Sequence, residues 1–234
     1  MNLLRPAVVT SSVDPRHWRV VLGRLHATFA TGTFERGAAL VARVAELADR
    51  HGHHPDVDLR YTLVHVAVVS HDAGGLTERD VALAAGISEI ADALGVDAVR
   101  TDAGRTDAGR AVAGQALEIA VDALDIAAVQ PFWRAVLGYV DERPEAPDAS
   151  PALVDPAGIG PAVWFQQMDA PRPQRNRVHL DVSVPHDVAV ARVEAALAAG
   201  GRLVSDRRAP AFWVLADAEG NEACVCTWQG REGA

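Results

Sequence analysis

Cysteine is almost missing from this chain: Cys224 and Cys226 are the only two in 234 residues. Two apart on a predicted strand, they share a face, a spacing that rarely meets disulfide geometry, and no second cysteine pair exists to complete a zinc site. Reduced core thiols are predicted. No apolar run is long enough to span a bilayer, and the start, MNLLRPAVVTSS, lacks the basic-then-apolar order of a signal peptide. These absences predict a cytoplasmic location. Basic blocks are also missing. The 22 basic residues are outnumbered by 31 acidic ones, for a net charge of −9, which excludes nonspecific attraction to nucleic acid or an anionic membrane. What is present, 49% hydrophobic and 23% charged residues, is the balance of a globular chain long enough for one large domain or two ordinary ones.

Hydrophobic periodicity divides the chain. Residues 1–15, with Pro6 and Pro15, read as irregular. WRVVLGRLHATFATGT, from Trp18, reads as one or two strands. Thr33 then caps a helix over 35–50 whose buried stripe is Leu40, Val44 and Leu47. The valine-rich segment 61–70 predicts a strand, Gly74-Gly75 a turn, and Thr77-Glu78-Arg79-Asp80 the start of a second helix reaching Leu94. TDAGR then occurs twice, at 101–105 and 106–110, in a stretch with almost no large apolar residues, and reads as a solvated linker. From Gln115, QALEIAVDAL alternates as a strand, followed by a helix over 126–137 ending at Gly138 and strands near 139, near 152 and over 162–168. The order recurs: NRVHLDVSVP alternates, a helix spans 188–199, and strands follow near 203, over 212–216 and over 222–228. The predicted domains are therefore 16–96, a linker at 97–114, 115–229 and a tail at 230–234.

The densest chemistry lies between Asp49 and Asp80. Five of nine histidines fall between His51 and His71, and His53-His54 stand directly before Pro55, where a helix must end. His17, His26, His51 and His186 read as ordinary polar residues, and His65, on the alternating face of its strand, as structural. Asp49, His53-His54-Pro55, Tyr61, His71 and Asp80, together with Trp18, Phe34 and SHDAGGLTERDVALA, form a pattern that resembles the pterin-4a-carbinolamine dehydratases over about residues 16–95. Gly52 stands where that family often has an acid, and Ser70 where it usually has threonine. The resemblance implies dehydration of a 4a-hydroxytetrahydropterin to quinonoid dihydropterin with no metal or other cofactor. It implies His53, His54 and His71 as catalytic, and Asp49, Trp18, Ser70 and Asp72 as substrate-binding. Imidazole titrates near neutrality, so it suits protonation of a leaving hydroxyl and removal of a ring N–H proton. Adjacent His53 and His54 do not readily aim both rings at one ion. Asp80 completes a helix-start capping pattern and is read as structural.

The second half resembles the glyoxalase/bleomycin-resistance (vicinal oxygen chelate) type through PFWRAVLGY (131–139), RVHLDVSV (177–184) and LADAEGNEACV (215–225). The resemblance implies tandem βαβββ units, so the predicted fold class is α+β: an antiparallel sheet with helices on one face, then this doubled unit. Metal-using relatives take ligands from the first and last strands of each unit. Those positions fall here on Glu118, on Gln166 or Gln167, on His179, and on Cys224 with Glu222 on the same face. That set is poor, so no metal is expected, and Glu118, His179 and Glu222 are the candidate ligands should one bind. The leading reading is a pterin dehydratase with a small-molecule pterin as its partner and, by resemblance, homo-oligomeric association. The alternatives are that the glyoxalase-like half carries the main activity on an unknown small molecule, or that the protein is a nonenzymatic binding module.

Overall fold

A computed structural model describes residues 2–99, 116–142, 150–171 and 178–230. The TDAGR repeats and most of the expected linker and tail lie outside the described residues. The chain divides into two units, residues 1–116 and 117–234.

The first unit begins with a short helix, α1 (Pro6–Ser12), where the sequence suggested irregular chain. Pro6 lacks the N–H that a first helical turn cannot use, and Val9 goes fully into the core. β1 (Arg19–Val21) and β2 (Arg24–Ala30) form a hairpin. Its two-residue turn has positive φ at both Leu22 (45°) and Gly23 (68°), the twist that flanking strands favour. α2 (Phe34–His51) starts at Thr33, whose hydroxyl accepts from Arg36 N, and ends at Gly52 in the left-handed region. β3 (Asp56–Arg60) and β4 (Leu63–Val68) follow as a second hairpin. The sequence reading missed β3, because DVDLR is short, mostly exposed and carries three charged residues in five. α3 (Glu78–Ala93) and the short β5 (Asp97–Ala98) complete the unit.

The sheet order is β1-β2-β4-β3, with β5 also on β2. Leu25, Ala27 and Phe29 of β2 and Val64, Val66 and Val68 of β4 form one core with Leu40 and Val44 of α2 and Leu83 and Ile87 of α3. Complete burial of one such leucine stabilises the fold by about 1.5–3 kcal/mol. The two helices approach closely because position 86 is glycine: a Cβ there would meet Leu47 Cδ2 at 2.8 Å. This packing holds the end of α2 and the start of α3 at fixed places, and those are the ends that carry the histidines and Asp80.

The second unit is two βαβββ modules. The first comprises β6 (Glu118–Ala123), α4 (Ile126–Leu137), β7 (Val140–Asp141), β8 (Ala152–Val154) and β9 (Ala162–Gln167). The second comprises β10 (Leu180–Ser183), α5 (Ala189–Ala198), β11 (Arg202–Arg208), β12 (Phe212–Ala216) and β13 (Glu222–Cys226). In each module the first strand pairs in parallel with the last, in sheets ordered β6-β9-β8-β7 and β10-β13-β12-β11. Phe132, Trp133 and Val136 of α4 and Val193 and Ala196 of α5 share one core with Phe165, Leu215 and Val225. The modules are tied together by Glu219, whose carboxylate accepts from Leu124 N at 2.9 Å and Asp125 N at 2.7 Å at the start of α4. No helix among the described residues is long and apolar enough to cross a membrane.

Candidate active site

The end of α2 places the paired histidines. Gly52, at φ 58°, turns the chain, and His53 N returns to Ala48 O at 3.2 Å. Glycine takes that left-handed conformation without strain, which suits it to this C-cap. The turn sends the two neighbouring rings into opposite environments.

His53 is buried at 7% exposure, and its Nε2 lies 2.8 Å from Asp80 Oδ1. Asp80 is fully buried on the first turn of α3. Its Oδ2 accepts from Thr77 N at 2.6 Å, Ser70 Oγ at 2.8 Å and Thr77 Oγ1 at 3.0 Å. Thr77 Oγ1 in turn accepts from Arg79 N at 3.2 Å. A carboxylate only accepts, so the His53 contact is a donation from Nε2–H, which leaves the Nδ1 lone pair unprotonated in the neutral ring. Asp80 is therefore both the capping residue of α3 and the anchor that sets the tautomer of His53. The sequence reading assigned it only the first role. The signal that it also faces a histidine is its place in the spaced pattern, 27 residues after His53.

His54 is exposed, and its Nε2 stands 3.0 Å from Asp49 Oδ1 on the last turn of α2. Both side chains are largely solvated, so this pair orients the ring more than it stabilises the fold. His71 is also exposed and makes no side-chain hydrogen bond among the described residues. It opens the tight turn in which Ala73, Gly74 and Gly75 all donate backbone N–H groups to Ser70 O. Ser70 is fully buried and holds Asp80, so the structure joins His53 to the backbone beside His71 through one short chain of hydrogen bonds.

The expected substrate contacts divide. Asp49 is solvent-facing beside His54. Asp72 is exposed and pairs with Arg79, whose guanidinium holds its carboxyl below the usual carboxylate range. Ser70 faces Asp80 and is closed to solvent. Trp18 is 1% exposed, donates its indole N–H to Ser88 Oγ at 3.0 Å and stands edge-on to Phe29. The structure thus gives Trp18 a packing role, in correction of the substrate contact assigned from sequence. The chain entering the core just before β1 buries this large aromatic ring, and one buried polar partner suffices for the indole N–H.

In the second unit, a cavity of about 480 Å³ is lined from both modules, by Ile119 and Asp122 on β6, Trp133 on α4, His179 beside β10, and Asn221 and Glu222 at β13. Of the candidate ligands, His179 and Glu222 line this cavity and Glu118 is absent from its lining. The ligand atoms that come together are a different set: His179, Asp181 and Cys224. Both cysteines are free and buried. Burial first, and then the neighbouring Asp181, push the Cys224 thiol up to about 12. Glu118 and Glu222 do not belong to that group.

Comparison with known proteins follows the same division. The family described as Pterin 4 alpha carbinolamine dehydratase matches residues 3–90, and the Glyoxalase-like domain matches residues 118–226. A protein from Chloroflexus aurantiacus that carries the provisional name pterin-4-alpha-carbinolamine dehydratase is 49% identical over 73 residues, covering 31% of this chain and 78% of that one. One of the same provisional name from Herpetosiphon aurantiacus is 37% identical over 91 residues, 38% of this chain and 95% of that one. A solved glyoxalase/bleomycin resistance protein/dioxygenase family enzyme from Burkholderia phytofirmans aligns with a TM-score of 0.40 at 18% identity, covering 47% of this chain and 95% of that one. Through residues 3–90 the chain belongs to the pterin-4-alpha-carbinolamine dehydratase family, and it carries a glyoxalase-like domain over residues 118–226.

Proposed function

We propose that the first unit is a hydro-lyase that converts a 4a-hydroxytetrahydropterin to quinonoid dihydropterin and water by acid/base chemistry. The observation that carries this reading is the buried hydrogen-bond chain from His53 through Asp80 and Ser70 to the turn bearing His71, with His54 solvent-facing next to it. In the reaction the bond from C4a to its hydroxyl oxygen breaks, and the oxygen leaves as water after taking a proton from an imidazolium. A ring N–H gives its proton to a neutral imidazole, and the electron pair left behind forms the new C=N bond. The exposed His54 and His71 suit the two proton transfers because their rings reach solvent and recover their protonation state between turnovers. His53, fixed as the Nε2–H tautomer, presents a constant acceptor at Nδ1 that binds the pterin and polarises it most strongly as positive charge develops on the ring during C–O cleavage, so that its loss acts on kcat. Asp49 orients His54. Trp18 and Ser70 support the scaffold.

The test is stopped-flow ultraviolet detection of 4a-hydroxytetrahydropterin decay. Wild type should accelerate decay, and His54→Ala and His71→Ala should each lose on the order of 10²–10⁴ of that acceleration. Decay at the spontaneous rate with wild type would overturn the reading. A separate observation favours a second small-molecule site in the glyoxalase-like domain: its cavity of about 480 Å³ lies in the range that ligand pockets occupy.

A further inference from the structure

A second group of histidines lies apart from the sites described above, on the face of the first sheet turned away from the helices. Leu25, Ala27 and Phe29 of β2 and Val64, Val66 and Val68 of β4 fill the core with α2 and α3. The alternate residues His26, Thr28 and His65 therefore emerge from the opposite face. Thr28 pairs with His65 and His26 with Ala67, which makes His26 and His65 diagonal neighbours across the two strands. Both are half-buried. His26 Nδ1 and His65 Nε2 are 3.2 Å apart, far closer than the ring centres at 5.3 Å, so the rings meet nitrogen to nitrogen. On the outer side, His65 Nδ1 lies 2.9 Å from Thr28 Oγ1, and the Val21 backbone hydrogen-bonds the His26 ring.

We propose that His26 and His65 chelate one divalent transition-metal ion of the class that imidazole prefers, zinc, copper or nickel, with water filling its other positions. The donor set decides the class, because magnesium and calcium take oxygen ligands. The spacing agrees: bonds of about 2.0–2.1 Å to a tetrahedral ion put two ring nitrogens roughly 3.3–3.4 Å apart. From 3.2 Å the pair opens by only about 0.1–0.2 Å. The facing lone pairs must tilt to converge on the ion, and the broad second torsion of histidine lets each ring do so. Outer support is also in place. A ligating histidine ordinarily donates its other ring N–H to a fixed acceptor, which sets its tautomer. Thr28 Oγ1, on a residue 8% exposed, holds that place for His65, so that Nδ1–H donates to the hydroxyl and Nε2 keeps its lone pair for the ion. Burial pushes His26 down to about 4 and lowers His65 as well, so both rings are neutral ligands at neutral pH. The guanidinium charges that act on the rings are answered by carboxylates, Arg24 by Asp56 at 2.9 Å and Arg60 by Asp58 at 2.6 Å. Asp58 also stands directly opposite His65 on β3. The site shares no residue with the histidines of the dehydratase motif or with the glyoxalase-like domain, and it stands independently of the dehydratase reading.

The full-length protein, freed of metal with a chelator, is titrated with Zn²⁺ at neutral pH and followed by NMR of the histidine ring nitrogens. This reports each ring by itself, even where other histidines also take up zinc. The His26 and His65 signals should move together with one dissociation constant, with His26 Nδ1 and His65 Nε2 as the coordinated nitrogens. Mg²⁺ at the same concentration should leave both in place. Thr28→Val removes only the outer hydroxyl and should weaken Zn²⁺ affinity at this pair by at least roughly tenfold, the worth of an outer partner in a metal site. His65→Ala removes a ligand and should weaken binding at His26 further still. The wild-type titration decides the matter even where a variant fails to fold. Zinc that moves other histidines while His26 and His65 stay in place, a Mg²⁺ response equal to that of Zn²⁺, or unchanged affinity at His26 in His65→Ala would each overturn the site.

Discussion

Asp80→Asn separates the two roles that Asp80 holds. Its Oδ2 receives Thr77 N, Ser70 Oγ and Thr77 Oγ1, and its Oδ1 receives His53 Nε2. An asparagine of the same shape must keep its carbonyl oxygen toward the three donors, so its NH₂ turns to His53. That contact survives only if the ring moves its proton from Nε2 to Nδ1, which removes the lone pair from the second nitrogen. Hydrogen bonds to a charged acceptor are worth about 1.5–3 kcal/mol against 0.5–1.5 for neutral ones, so losing the charge across this cluster should cost about 2–3 kcal/mol of stability. The catalytic cost should be larger than stability alone explains. A histidine forced into the wrong tautomer by the same exchange loses about 10⁴ in the serine-protease triad, and a loss in kcat on the order of 10²–10⁴ is expected here, with KM changed far less. The assay is stopped-flow pterin decay beside chemical denaturation. Thr33→Ala is the control, because it removes the cap of α2 at the end remote in sequence from the histidines, at about 1 kcal/mol, and should leave kcat unaltered. If Asp80→Asn lowers stability yet keeps kcat within about twofold of wild type, Asp80 is a helix cap and nothing more, and the tautomer argument fails.

Two further outcomes follow from the first unit. His26 lies half-buried on the sheet, its Nδ1 3.2 Å from His65 Nε2, and burial first, then His65 and Arg24, push it from 6.5 down to about 4. The unfolded chain therefore takes up a proton between those values that the folded chain refuses. The contribution is intact above pH 6.5 and is lost as pH falls toward 4. A fully buried ring would lose roughly 3 kcal/mol over that window, reduced by solvent screening to about 1–2 kcal/mol here. NMR titration should place the His26 midpoint near 4, and a midpoint near 6.5 would contradict the structure. Among the described residues β3 pairs only with β4, so its outer edge offers unpaired N–H and C=O groups. Pairing with a second copy of the chain is expected, and light scattering that shows a monomer at micromolar concentration would refute it.

The legible parts of the sequence were those where a local rule and the tertiary packing agree. Thr33 and Thr77 announced their helices, Leu40, Val44 and Leu47 announced the buried stripe, and in the second unit alternation announced β6 and β10 and glycines the ends of α4 and α5. β3 and α1 were hidden because their stability comes from partners elsewhere in the chain. β3 is held by the β4 ladder, and α1 by a single buried valine at Val9 with Leu4 N bonded to Leu76 O.

The candidate site shows the same limit more sharply. A capping pattern in sequence has one reading, since Thr77 and Asp80 satisfy each other whatever surrounds them. Burial gives the pattern its second one. Once Ser70 and His53 close over Asp80, a surface cap becomes a desolvated charge that must be fully hydrogen-bonded, and every group that satisfies it is fixed in turn. The reverse happened to Trp18, which the family resemblance placed with the substrate and packing withdrew into the core. The spacing of the motif identified which residues belong together. Only burial distinguished those that face solvent, His54, His71 and Asp49, from those that hold them in place.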